Sequence, residues 1–83
     1  MTRRKSGLLI REVDGEILIL DPERDQVHQL NASASLIWRH YDNGTEIEEI
    51  AKTLVMEFDL DEDKAECDVR AALEDLRRLE LIR

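Results

Sequence analysis

Three groups of residues in this chain have the chemical types from which sites are built. Asp59, Asp61 and Asp63 alternate as the first ligands of a calcium loop do. Such a loop needs a glycine at its sixth position and a carboxylate at its twelfth. Lys64 and Arg70 stand there, so the three acids read as the capped, acidic start of a helix. His28, His40 and Cys67 fall in different predicted elements, at separations that no zinc motif uses. Cys67 has more acidic than basic neighbours, which disfavours a thiolate. Ser33 and Ser35 have no histidine or acid at a telling spacing, and read as first-turn residues of a helix, not nucleophiles. The glycines stand singly at turns or strand starts, so no phosphate loop is expected. The residue types therefore predict no catalytic residues, no metal ligands and no cofactor: a protein that is not an enzyme.

Size and charge narrow the classes further. The chain has 83 residues, enough for one domain. A domain of that size buries only about 60–65% of the surface its unfolded chain exposes, which leaves little room for an enclosed substrate cavity. Charged residues make up 39% and the net charge is −8. That balance works against nucleic acid, whose phosphates need Lys and Arg. A single cysteine excludes an internal disulfide and fits a reducing, cytoplasmic setting. No apolar run approaches the roughly 18 residues needed to cross a bilayer, so no membrane is expected. Residues 1–6 are basic, are followed by a short strand-like run and not by a secretory apolar core, and read as a flexible arm ahead of one domain over 7–83.

The remaining residues must supply a binding surface, and their order gives its frame. Leu8-Leu9-Ile10 opens a strand running to about Val13. Asp14-Gly15 then forms a tight hairpin, since both types tolerate positive φ. Ile17 to Leu20 is a second strand with no polar alternation, so both of its faces should find apolar cover. Pro22 sits in the following turn, and Gln26 to Leu30 is a third strand. That strand turns directly into a helix over Ala32–Asp42. Ala34, Ile37, Trp38 and Tyr41 share one face of the helix, Asn31 caps it and Asn43-Gly44 ends it. Thr45 and Glu48 predict a capping box for a second helix. Asp61 caps a third, whose apolar stripe is Ala65, Val69, Ala72, Leu73, Leu76 and Leu79. Leu81-Ile82 should return to the core. The fold class is α+β and winged-helix-like: a three-stranded antiparallel sheet followed by three helices.

This outline also belongs to DNA-binding modules, but the third helix begins with Glu62, Asp63 and Glu66 against Lys64 alone. Like charges there repel a phosphate backbone. A nucleic-acid or protein-interaction module of a regulator is the alternative reading. The favoured one starts from the outer strand of the meander. Gln26, Val27, His28 and Gln29 include no Lys or Pro to block pairing. A strand edge beside an amphipathic helix can hold an extended peptide by backbone pairing. On the third helix, Asp68 and Asp75 flank the stripe on one side, and Glu66, Arg70 and Arg77 on the other. The sequence leaves open which flank faces the strand. The two-sided second strand points to a homodimer or a docking surface.

The ordered series Val27-His28-Gln29-Leu30-Asn31, Ala34 to Trp38, Asp42-Asn43-Gly44, Thr45 to Ile50, Phe58, Asp68-Val69 and the Leu73, Leu76, Leu79, Leu81-Ile82 tail resembles the PqqD family, the RiPP recognition elements. The likeness spans about Gly7 to Ile82. Glu80 departs from the pattern, which usually has Gly before the final apolar pair. The resemblance implies a domain that binds the leader segment of a ribosomally made precursor peptide and presents it to a modifying enzyme, often a radical S-adenosylmethionine protein, without doing chemistry itself. It implies that the leader adds as a strand beside the third strand and packs against the third helix. The contacts here would be the backbone of Gln26, Val27, His28, Gln29 and Leu30, and the side chains of Asp68, Val69, Ala72 and Leu76. The family serves several pathways, pyrroloquinoline quinone and lasso peptides among them.

Overall fold

The computed structural model describes residues 3–82. Three strands, β1 (Leu9–Val13), β2 (Glu16–Asp21) and β3 (Gln26–Gln29), form one antiparallel sheet in the order β1-β2-β3. Helices α1 (Ala32–Asp42), α2 (Ile47–Phe58) and α3 (Glu62–Arg78) follow. Asp14 and Gly15 both take positive φ, 52° and 80°, so a two-residue turn pairs Val13 with Glu16 and sets the β1–β2 register. Along β2 the burial alternates. Ile17, Ile19 and Asp21 face the helices, while Leu18 and Leu20 on the other face stay half-exposed. The expectation that both faces find apolar cover is thus met on one face only within this chain, because the helices all lie on one side of the sheet.

The strand-to-helix junction is held by one hydroxyl. Leu30 N–H donates to Ile17 C=O at 2.8 Å. The reciprocal ladder bond is replaced: Ile17 N–H donates to Ser35 Oγ at 2.8 Å, and Ser35 O–H donates to Leu30 C=O at 3.2 Å. Ser35 is completely buried, so both backbone groups would lack a partner without it. Asn31 caps α1 as its position predicts, accepting from the Ala34 N–H at 2.9 Å.

The second cap differs from the expectation. The N-cap of α2 is Glu46, with no side-chain bond to the helix, and the Thr45–Glu48 capping box does not form. Thr45 is drawn into the end of α1, its N–H donating to His40 C=O at 3.0 Å, so the helix starts one residue later. Glu48 and Glu49 still favour its positive end. For α3 the predicted cap holds: Asp61 accepts from Lys64 N–H at 2.8 Å.

The core joins Ile17 and Ile19 of the sheet to Ile37, Trp38, Ile50, Leu54, Val69 and Leu73 of the helices. Leu81 and Ile82 return to it, 0% and 7% exposed. The turn that brings them back runs through Glu80 at φ 60°. Leu81 N–H donates to Leu76 C=O and Glu80 N–H to Arg77 C=O, the paired bonds of a Schellman ending. Glycine fits that left-handed position without strain, and here Glu80 occupies it, ion-paired with Arg24. Residues 3–5 of the stretch expected to be a loose arm lie against the body; residues 1–2 of that arm and Arg83 fall outside the described residues. Arg4 bridges to Ile82, Lys5 N–H donates to Leu81 C=O at 2.9 Å, and the Arg3 guanidinium stacks 4.5 Å from the Tyr41 ring centroid.

Two stability predictions follow from these junctions. Ser35→Ala should lower unfolding free energy by about 2–4 kcal/mol in urea titration, since two buried backbone groups lose their partner; Ser33→Ala, at a half-buried serine whose hydroxyl bonds only to the Asn31 side chain, should change it little. Glu80→Gly should be more stable than Glu80→Ala by about 1 kcal/mol, both lacking the ion pair and only glycine relieving the positive φ.

Candidate peptide-binding groove

β3 has a neighbour on one side only. In an antiparallel ladder, successive residues turn their backbone groups alternately toward and away from the partner strand. Leu30 bonds to Ile17, and Ile19 and Asp21 stand opposite His28 and Gln26. His28 and Gln26 are therefore the residues bonded to β2, and Val27 and Gln29 direct N–H and C=O outward. No described residue pairs with them. Of the five residues expected to offer backbone, two thus carry the open groups. Leu30 is buried and bonded inward. The His28 side chain lies on the helix side with Ile19, and its Nε2 is buried without a hydrogen-bond partner.

The helix beside this edge is α3, and no Cα of β3 comes within 8 Å of a Cα of α3. The Arg24–Glu80 ion pair joins the β2–β3 turn to the end of α3. The contacts of α3 show which flank meets the other helices. Arg77 donates to Tyr41 Oη on α1 at 3.1 Å. The pKa of Arg70 is raised by its bond to Glu66 first, and also by the charge of Glu48 on α2. The Glu66, Arg70 and Arg77 flank is therefore turned toward α1 and α2. The opposite flank carries Asp68, Ala72, Asp75 and Leu79.

The four side chains expected to line the groove divide into two pairs. Asp68 and Ala72 are half-buried on that flank, while Val69 and Leu76 are buried in the core, 0% and 4% exposed. Leu79 was counted with the buried stripe on spacing, but is 40% exposed. With Asp75 and Arg78 it lines a hollow of about 280 Å³. Its position at the C-cap, past the last helical turn, is the signal that sets it apart from Leu76. The charges on this flank are neutralised within the helix, Asp68 by Lys64 at 3.6 Å and Asp75 by Arg78. Among the described residues, no three of His, Cys, Asp and Glu converge as a metal site would need. No described helix is long and apolar enough to cross a membrane.

The family model for coenzyme PQQ synthesis protein D matches residues 16–82. This chain belongs to the PqqD family. Two solved structures are similar to this PqqD-family chain. The first is TbiB1 in complex with the TbiA(beta) leader peptide: 26% identical, TM-score 0.88, covering 100% of this chain and 95% of that one. The second is a lasso peptide synthetase B1 complexed with the leader peptide: 23% identical, TM-score 0.90, covering 98% and 95%. The second likeness is one of fold. No curated protein matches the chain.

In this PqqD-family domain, the turn end of the groove is fixed by a buried charge. Asp21, 2% exposed, accepts from Lys5 Nζ at 3.1 Å and from the Arg24 N–H at 3.4 Å. Burial pushes its carboxyl pKa up, but the Lys5 ammonium and the N–H groups of Arg24 and Glu23 outweigh it. The net shift is downward from 3.8. A carboxyl with a depressed folded pKa contributes stability above its unfolded pKa, and loses it as pH falls through the folded one. Asp21→Asn should therefore be less stable than the parent chain at pH 7 in thermal unfolding. The difference should shrink once the pH drops below about 4.

Proposed function

We propose that the chain binds the leader segment of a ribosomally synthesised precursor peptide as an added strand on β3 and presents it to a modifying enzyme. The observation that carries this is the open pair of backbone groups at Val27 and Gln29, on an edge whose backbone stays more than 8 Å from α3; we take the gap between the two as the guest's groove. Main-chain bonds from such an edge hold an extended guest whatever its sequence, and side-chain pockets beside it select. Asp68, Ala72 and Leu79 form the wall, above a floor of Val69 and Leu76. The guest residue opposite His28 points into that gap. Membership of the PqqD family and the two leader-peptide complexes of like fold support the same reading.

The domain does no chemistry in this reading. It contributes affinity and position, and a partner enzyme, for example a radical S-adenosylmethionine protein, supplies the reaction. The alternative of a DNA-reading helix fares worse, because Glu62 and Asp63 are exposed at the start of α3, where a recognition helix meets phosphates.

A proline scan of β3 tests the pairing. Proline is tolerated on an edge strand where the lost N–H faces outward, and not where it bonds to the sheet. Gln29→Pro should keep its circular dichroism and lose at least about tenfold in affinity, roughly 1.4 kcal/mol, for a leader peptide that the parent chain binds. His28→Pro should unfold. Unchanged binding by a folded Gln29→Pro chain would contradict strand addition at this edge.

A further inference from the structure

An added strand has two faces, and only one of them meets α3. Residues directly opposite in a ladder project on the same side. A guest residue opposite His28 therefore points to the helices. Guest residues opposite Val27 and Gln29 point to the outer face of the sheet. That face is apolar where the guest arrives. Leu9, Leu20 and Val27 form one row across the three strands, and Leu9 and Val27 are 46% and 62% exposed. A hollow of about 170 Å³ opens there, lined by Leu9, Leu20, Pro22 and Val27 and also by Asp25 of the turn and Gln26. The next row, Arg11, Leu18 and Gln29, is mixed, and Gln29 Nε2 donates to Glu16 Oε1 at 3.1 Å.

An antiparallel sheet with one face on its own core ordinarily turns polar residues to water on the other. Here Leu9, Val13, Leu18, Leu20 and Val27 make most of that face apolar, although the chain carries a net charge of −8. On the outer face of the paired strands only Arg11 and Glu16 are charged, and with opposite signs. The face neither repels an uncharged side chain nor selects a charged one. Its apolar row ends at the open edge of β3, so the next element to continue it is the guest strand itself.

We propose that the outer face of the sheet is a second subsite for the guest peptide. The guest residue paired with Val27 carries an aliphatic or aromatic side chain that extends the Leu9–Leu20–Val27 row onto a fourth strand. The guest residue opposite Gln29 is free to be polar. The inference rests on the strand-addition reading above and sharpens the ligand class. The recognised segment has adjacent apolar residues, one turned into the α3 gap and one onto the sheet, instead of a single apolar face.

The test is selection of a displayed random-peptide library on the full chain, keeping the peptides whose binding is lost with Gln29→Pro. These should carry an adjacent apolar pair. Val27→Lys should weaken their binding roughly tenfold, about the worth of one buried valine. Val27→Thr, which keeps the shape, should weaken it less. Val13→Lys lies on the same face, 60% exposed but on the far strand, and should leave binding unchanged. Equal binding by the parent and both Val27 variants would overturn the second subsite while leaving strand addition intact. If no selected peptide is sensitive to Gln29→Pro, strand addition fails and takes the subsite with it. If Val13→Lys weakens binding as much as Val27→Lys, and both convert a dimer to a monomer in light scattering, a second copy covers this face and the proposal falls.

Discussion

The Ser35 hydroxyl governs more of this molecule than any other single group. It stands between Ile17 N–H and Leu30 C=O, where a backbone ladder bond would otherwise run. It therefore ties the first turn of α1 to the last pairing of β2 with β3. That one junction fixes the parity of β3, because the side-chain and backbone alternation of a strand leaves no freedom once one pair is set. A slip by one residue would turn Val27 and Gln29 inward and expose the His28 side chain. The open edge is thus a consequence of a buried hydroxyl several residues away.

The rest of the fold keeps that edge in place on a small core. A chain this short has a thin stability margin, and its ends are used to close it. Arg3, Arg4 and Lys5 lie over Tyr41, Asp42 and Asp21, and Leu81 and Ile82 seal the core from the other terminus. Arg39 reaches from α1 to Glu12 and the Gly15 carbonyl, fastening the β1–β2 hairpin. Among the described residues, the open side of β3 has no such strap along its length; the Arg24–Glu80 pair lies at one end, in the β2–β3 turn. Binding surfaces are drawn from the parts of a fold that are least tied down.

Much of the frame was legible from the amino acids. Asp14-Gly15, Asn31, Asp61 and the periodicity of α1 and α3 are local signals, and local physics placed them correctly. The Thr45–Glu48 box failed because Thr45 is claimed by the end of α1, a tertiary demand that spacing does not reveal. Ser35 read as an ordinary first-turn serine, since nothing local distinguishes it from Ser33; only the approach of β2 makes it a bridge. Leu79 fits the helical stripe by angle, but stands at the helix end, where the core has already closed. At the candidate groove, the elements were readable, but the choice of flank on α3 was not. It depends on Arg77 meeting Tyr41, across 36 positions of chain. The departure at Glu80 leaves the last turn in its Schellman form, with the strain carried by one residue.

The functional reading therefore reduces to a statement about backbone groups. Amide hydrogen exchange on the uniformly labelled chain measures it directly. In the free protein, Val27 and Gln29 should exchange nearly as fast as an unstructured peptide while His28 and Leu30 are protected. Adding a leader peptide that the chain binds should slow Val27 and Gln29 selectively. Protection of Val27 and Gln29 in the free chain, or no change in either when the leader is bound, would contradict it.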